Sequence, residues 1–339
     1  MKLRWSNSEL RLREPFRISR SVMYERAAVT LEIEHEGVVG RGEVVTSVYY
    51  GLDIARIAEH VEALRSTIEG ADPEDLLARP GEFDTAPGVK AAIDAALHDL
   101  VGKLRGVPVH ELLGLPKPQR VPTAYTIGIT SLQESVRTAE SLAGRGFELI
   151  KIKVGGGESE LDRIAGIRAA APHARLLLDP NGAWEADQAV RLLTAASEYG
   201  VEAVEQPIQA GTPELLAEVA KASPVPVIAD EDAAGVEDVR ALDGVHGVNI
   251  KLAKCGGISA AMEIVDAAYE SDVDVMLGCL VASSLGIAPA VHLAGCARWV
   301  DLDGHLLLAH DPWTGIGGAD GFLEPEGTAG LGVRLAGPE

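Results

Sequence analysis

The sequence predicts an α/β protein: a (β/α)7β TIM-like barrel with an α+β N-terminal capping domain, completed by the C-terminal tail. Two features of the chain point there. From about residue 121, eight short β-rich runs (121–129, 148–153, 175–179, 201–205, 225–230, 246–251, 273–278 and 298–301) alternate with longer segments whose apolar residues recur at helical spacing. Strand and helix in strict alternation imply a parallel sheet, and eight such repeats suit a closed barrel better than the alternative, a doubly wound open sheet. After the eighth run the helical pattern stops and residues 311–339 become rich in Gly and Pro. The last helix of a regular barrel is therefore expected to be missing.

Residues 1–120 have a different pattern. Runs at 3–5, 27–35 and 38–45 read as an antiparallel meander with Glu36-Gly37 as a hairpin turn. Ile54, Ile57, Val61, Leu64 and Ile68 make one helical stripe, and Val89, Ile93, Ala96, Leu97, Leu100 and Leu104 make a second. The expected organisation is a cap over 1–120, a barrel over 121–310 and a tail over 311–339 that returns to the cap.

The 339 residues hold 30 Lys plus Arg against 51 Asp plus Glu, a net charge of −21. A field of that sign repels phosphate backbones and anionic lipid headgroups, so neither nucleic acid nor a membrane surface is an expected partner. No run of about 18 apolar residues is present to span a bilayer. Cys255, Cys279 and Cys296 form neither a CxxC pair nor a disulfide framework, and the residues after Lys2 and Arg4 are polar where a leader would be apolar. The expected setting is the cytoplasm, and the expected partners are a small molecule and further copies of the chain in a homo-oligomer.

Active sites of such barrels lie at the carboxyl ends of the strands. Lys153, Asp179, Glu205 and Asp230 close the second to fifth runs and Lys254 lies just past the sixth, at intervals of 26, 26, 25 and 24 residues. One repeat separates each charged group from the next, so the five should converge. Three carboxylates from adjacent strands give an all-oxygen, facial donor set suited to a hard divalent cation such as Mg2+, one ion per site, with Mn2+ an acceptable substitute. No His or Cys shares the pattern, which disfavours zinc. Each acid taken alone is equally an N-cap for the helix that follows. Lys151 lies two residues before Lys153 and so faces the same side of the strand. The second and sixth strands of an eight-stranded ring are diametrically opposed. Lys153 and Lys254 would then address opposite faces of a substrate, one removing a proton and the other returning it.

The strings Lys151-Ile152-Lys153, Asp179-Pro180-Asn181-Gly182-Ala183-Trp184, Glu205-Gln206-Pro207, Asp230-Glu231 and Lys251-Leu252-Ala253-Lys254-Cys255-Gly256-Gly257 resemble the enolase superfamily, in its muconate-lactonizing-enzyme subgroup. Sites of that superfamily are known to pair a Lys or His base with Mg2+ that stabilises an ene-diolate. The resemblance implies that Asp179, Glu205 and Asp230 bind the metal and that Lys153 and Lys254 are the acid/base pair. It further implies that Lys151 is an electrostatic neighbour at the substrate and that Asn181 supports the ligands.

Asp301-Leu302-Asp303-Gly304 resembles the Asp-x-Asp motif of dipeptide epimerases, whose acids hold the substrate's α-ammonium. Two carboxylates pointing the same way suit a cation. Arg20 lies near the position at which epimerases of Ala-Glu use an arginine for the acidic side chain, and Tyr49-Tyr50-Gly51 is expected to line the same pocket. Two departures stand out: Asp232 follows Asp230-Glu231 where Ser is common, and Ala282 stands where many relatives carry Glu. The implied activity is a Mg-dependent dipeptide epimerase working by 1,1-proton transfer at the α-carbon of the C-terminal residue, Ala-Glu being a candidate substrate. Left open are an N-acylamino-acid racemase or o-succinylbenzoate synthase, then a cycloisomerase or a noncatalytic ligand-binding barrel.

Overall fold

The computed structural model describes residues 1–157 and 159–337. Strands β1 (Lys2–Ile18), β2 (Ser21–His35) and β3 (Val38–Val45) form the antiparallel meander, in that order. The first hairpin runs much further than the sequence indicates. Its ladder extends from Lys2 opposite Glu34 to Ile18 opposite Ser21, with an irregularity between Arg11 and Phe16. Most β1 side chains beyond Trp5 are exposed and only Leu10 and Leu12 are buried, so the alternation on this arm is short. The arm gains its partners at a distance: Arg13 N donates to Leu307 O at 2.9 Å, and Ile129 N donates to Arg17 O at 2.9 Å. The tip of the hairpin thus docks beside the barrel mouth.

Helices α1 (Ile54–Glu69), α2 (Pro73–Leu77), α3 (Pro87–Arg105) and α4 (Val109–Leu112) complete the cap. Asp53 caps α1 by accepting from Arg56 N at 2.8 Å, and α1 buries Ile57, Val61, Leu64 and Ile68 of the predicted stripe, with Ile54 partly buried. The α3 helix is buried over most of its length because it lies between β3 and the barrel. Asp94 on α3 accepts from Ile258 N and Ser259 Oγ, both at 2.6 Å. Gly257 makes this approach feasible: its φ is +118°, and a Cβ there would lie 2.6 Å from Asp94 Oδ2.

The second half begins with β4 (Val121–Pro122) and β5 (Ala124–Ile127), followed by α5 (Leu132–Arg145), β6 (Leu149–Lys153), α6 (Ser159–Ala170), β7 (Arg175–Asp179), α7 (Ala186–Ser197) and β8 (Val201–Glu205). It continues through α8 (Pro213–Ala222), β9 (Val227–Ala229), α9 (Val236–Ala241), β10 (Gly247–Ile250), α10 (Leu252–Cys255), α11 (Ile258–Glu270), β11 (Asp274–Gly278), α12 (Ser284–Val291) and β12 (Trp299–Asp301). Strands β5 to β12 lie side by side in chain order as one eight-stranded sheet. At the seam between β12 and β5, side chains make the joins: Leu302 N donates to Thr123 Oγ1 at 3.1 Å and Thr126 N donates to Asp303 Oδ2 at 2.6 Å.

Strand periodicity sets the interior in layers. A floor of Ala124, Leu149, Leu177, Ala203, Ile228, Met276 and Trp299 packs as one apolar cluster. The indole of Trp299 fills the space left at Gly247, where a Cβ would lie 2.9 Å from the ring. Two residues further along the strands the same face carries Thr126, Lys151, Asp179, Glu205, Asp230, Asn249 and Asp301. The apolar floor and the charged layer are therefore consequences of one alternation.

Among the described residues no helix follows β12. The tail instead adds β13 (Trp313–Thr314), β14 (Phe322–Leu323) and β15 (Arg334–Leu335); β13 pairs with β15 and β14 with β4. It then reaches the cap, where Leu331 N donates to Asp99 Oδ1 at 2.9 Å and Val109 N donates to Gly330 O at 3.0 Å. No described helix is long and apolar enough to cross a membrane.

Candidate active site

Lys151, Lys153, Asp179, Glu205, Asp230, Lys254, Asp301 and Asp303 meet at the carboxyl end of the sheet, with exposures between 1% and 8%. Lys151 Nζ lies at the centre: it is 2.9 Å from Asp179 Oδ2 and 2.7 Å from Asp301 Oδ2, and it also contacts Glu205 Oε2. Lys153, in register with Asp179 across β6 and β7, donates to Asp179 Oδ2 at 2.5 Å and to Asn181 Oδ1 at 3.2 Å. Lys254 sits on α10, past the end of β10. It donates to Asp230 Oδ1 at 2.9 Å and to Asn249 O at 2.7 Å.

Two members escaped the sequence reading. Lys251, at the end of the sixth strand, donates to Asp230 Oδ2 at 2.6 Å and to Glu205 Oε1 at 3.1 Å. Asn249, two residues earlier on the same face, donates to Glu205 Oε1 at 2.7 Å. The signal was present: Asn249 and Lys251 repeat on β10 the alternation of Lys151 and Lys153 on β6. Gln206 also serves here, its Oε1 accepting from Asp230 N at 2.9 Å and so fixing the backbone that presents the fifth-strand acid.

The electrostatics follow from crowding opposite charges into a buried space. For Lys151 and Lys251, burial favours the neutral amine, but Asp179, Asp301 and Glu205 around the first, and Asp230 and Glu205 around the second, outweigh it and hold both pKa values well above the ordinary range. Burial would raise the pKa of Glu205, yet Lys151 and Lys251 hold it well below the usual carboxylate range, and Asp230 is lowered in the same way by Lys251 and Lys254. Asp303 is different. Burial and the neighbouring Asp301 push it up to about 7, against the bond from Thr126.

The carboxylates of Asp179, Glu205 and Asp230 come from three consecutive strands and supply oxygen donors only. Among the described residues no three acidic, imidazole or thiol groups stand as a ready-made metal cluster, since each of these carboxylates turns toward lysine. Glu205 Oε2 nonetheless accepts no aligned hydrogen bond, and Asp179 Oδ1 is fixed by Asn181 N at 2.9 Å. A hard dication suits this donor chemistry.

Two spaces adjoin the cluster. A small cavity of about 60 Å³ lies between Lys151, Lys153, Asp301 and Asp303. Beside it, a cleft of about 1210 Å³ opens between cap and barrel, lined by Arg20, Arg26, Tyr49, Tyr50, Glu231 and Leu280 among others. Arg20 is apart from the barrel cluster, in the turn of the β1–β2 hairpin. Its Nη2 donates to Glu231 Oε1 at 2.6 Å, and its guanidinium lies 4.6 Å from the Tyr49 ring centroid. Close to Ala282, the cap brings an acid. Glu43 of β3 accepts from Ser283 N at 2.8 Å and from Ser283 Oγ at 2.5 Å, and lies 2.7 Å from where a Cβ on Gly286 would be.

A parallel barrel with lysines opposed across a carboxylate layer, closed by an α+β cap, defines the enolase class of proteins. The family model for the mandelate racemase / muconate lactonizing enzyme N-terminal domain matches residues 2–114, and the model described as enolase C-terminal domain-like matches residues 134–339. The chain belongs to the enolase superfamily. It is 32% identical to an L-Ala-D/L-amino acid epimerase of Flavobacterium johnsoniae, over 99% of this chain and 100% of that one. It is 33% identical to an L-Ala-D/L-Glu epimerase of Bacteroides thetaiotaomicron, over 98% of this chain and 88% of that one. The structure of a dipeptide epimerase from Enterococcus faecalis, complexed with Mg and the dipeptide L-Leu-L-Tyr, superposes with a TM-score of 0.93 at 32% identity, covering 98% of each chain.

Proposed function

We propose that the protein is a Mg2+-dependent dipeptide epimerase that inverts the α-carbon of the carboxyl-terminal residue. The observation that carries this reading is the placement of Lys153 and Lys254, on the second strand and just past the sixth, on either side of the layer formed by Asp179, Glu205 and Asp230. Asp179, Glu205 and Asp230 would hold the metal ion, which supplies the positive charge that offsets the charge developing on the substrate's carboxylate oxygens. Lys153 and Lys254 act at opposite faces of the α-carbon: one Nζ accepts the proton and the other Nζ delivers a proton to the far face, inverting the centre. Asn181 N holds the Asp179 carboxylate through Oδ1, and Gln206 Oε1 holds the Asp230 backbone N–H. Asp301 and Asp303, across the small cavity from Lys153, receive the free α-ammonium. That requirement favours a dipeptide over an N-acylated amino acid, which has no ammonium to place there. Three thiols outside any disulfide fit a reducing compartment such as the cytoplasm.

The test is exchange. Dipeptides incubated with the enzyme and Mg2+ in deuterated water should gain deuterium at the α-carbon of the second residue as that centre epimerises. Absence of exchange across a broad dipeptide library would sink the assignment.

A further inference from the structure

The charged side chains around the 1210 Å³ cleft are accounted for one by one, and among the described residues a single cation is left over. Arg20 is paired with Glu231. Lys251 is paired with Asp230 and Glu205. Asp53 accepts from Arg56 N at the start of α1, and Glu25 lies in the field of Arg11. Arg26, on β2 opposite Leu10, lines the same cleft, and its Nη1 is buried with no hydrogen-bond partner among the described residues. Burial lowers its pKa to about 10, and among the described residues no carboxylate offsets this; its ionisable neighbour is Cys279, whose thiol burial keeps neutral by holding its pKa well above the ordinary range. A guanidinium stays protonated even so, and burying one without a carboxylate is costly. Such a charge is characteristic of a ligand site.

Cys279 ties this cation to the reaction centre, since the residue also borders the small cavity shared by Lys151, Lys153, Asp301 and Asp303. In the epimerase reading, the substrate's own termini are already matched: its carboxylate by the metal and lysines, its ammonium by Asp301 and Asp303. The anion left for a cation in the cleft is a side-chain carboxylate.

We infer that Arg26, and not Arg20, is the specificity-determining residue for an acidic side chain on the dipeptide. The inference rests on the epimerase reading and deepens it. Arg20 lies near the position where related epimerases use an arginine, but its charge is already met by Glu231, which leaves it little to offer a second carboxylate.

Two isosteric pairs test this: L-Ala-L-Glu against L-Ala-L-Gln, and L-Glu-L-Ala against L-Gln-L-Ala, each followed by α-deuterium exchange with the Mg2+-loaded enzyme. The wild type should favour the acidic member at least tenfold in kcat/KM in one pair. Arg26→Met should reduce that ratio below threefold, mainly through KM, Arg26→Lys should restore part of it, and Arg20→Met should shift it less than threefold. A wild-type ratio near one in both pairs overturns the inference, and this needs no variant to fold. So does a ratio retained in Arg26→Met or abolished by Arg20→Met. In those cases exchange itself persists, whereas failure of the epimerase reading appears as no exchange on any dipeptide.

Discussion

The barrel mouth and the cap side of the same site manage charge in opposite ways. At the mouth, Lys151, Lys153, Lys251 and Lys254 meet Asp179, Glu205, Asp230 and Asp301, so every ammonium has a carboxylate within ion-pair distance. On the cap side, among the described residues, Arg26 has no carboxylate partner and Glu43 accepts hydrogen bonds from the backbone and hydroxyl of Ser283 without a cation. The mouth is built from strands of one sheet, whose register fixes its geometry before any ligand arrives, and such preorganisation is what proton transfer needs. The cap wall is built from β2, β3 and loops joined to the barrel by contacts across more than 200 residues, such as Arg20 to Glu231 and Ser283 to Glu43. On the proposed roles, chemistry sits where charge is compensated, and selectivity at Arg26, where it is not.

The largest expected effect breaks that division if it fails. Replacing Lys153 or Lys254 by Ala should each lower epimerisation by about 10³-fold, within the range typical of general acid–base groups. The two losses should also be one-sided. Lys153→Ala should abolish α-proton exchange from one configuration of the second residue, and Lys254→Ala from the other, as followed by proton NMR in deuterated water. Epimerisation within about tenfold of wild type in either variant would place the chemistry elsewhere.

A smaller effect is expected at Asp303, where the epimerase reading places the substrate's ammonium. Asp303→Asn is isosteric and keeps an acceptor for Thr126 N, so the seam between β5 and β12 should survive. A charge-assisted hydrogen bond contributes about 1.5–3 kcal/mol, so kcat/KM for a free-amine dipeptide should fall about 10- to 100-fold, mainly through KM. Burial and Asp301 push Asp303 up to about 7, which makes it neutral at lower pH and anionic above. The wild-type KM should therefore fall as pH rises through 7, and Asp303→Asn should lack that dependence. A pH profile shared by both proteins would remove Asp303 from ammonium binding.

The same contrast explains what the sequence discloses. The barrel was legible because its period is imposed by packing: the floor residues must be apolar, their neighbours two positions on must share the same face, and the acids recur at one repeat length. Lys251 and Asn249 obeyed that rule and could have been found by it. The outer half of the β1–β2 hairpin was not legible, because beyond Trp5 only Leu10 and Leu12 of β1 are buried, too short an alternation to mark a strand that runs to Ile18. Nor were the partners of Arg20 and Glu43, since nothing local in a chain specifies contact with a residue 211 or 240 positions away. The role expected for Arg20 depended on its neighbourhood, and Glu231 changes that neighbourhood.

The smallest effect concerns stability, and it shows whether the cap side carries charge at a cost. Glu43 is partly buried, and burial raises its pKa from 4.5 to about 7 despite the bonds from Ser283. An acid whose pKa is higher in the folded chain binds its proton more tightly there. Its contribution is thus fully present below the unfolded value of about 4.5 and is lost as pH rises through about 7. The loss is at most about 3–4 kcal/mol. Glu43→Gln keeps an oxygen for Ser283 N and an amide for Ser283 Oγ but cannot ionise. Thermal unfolding at pH 5 and pH 8 should show the wild type losing a few degrees more than the variant over that interval. Parallel stability profiles for the two proteins would mean that Glu43 titrates as an ordinary carboxylate, and that the cap wall is as well compensated as the barrel mouth it faces.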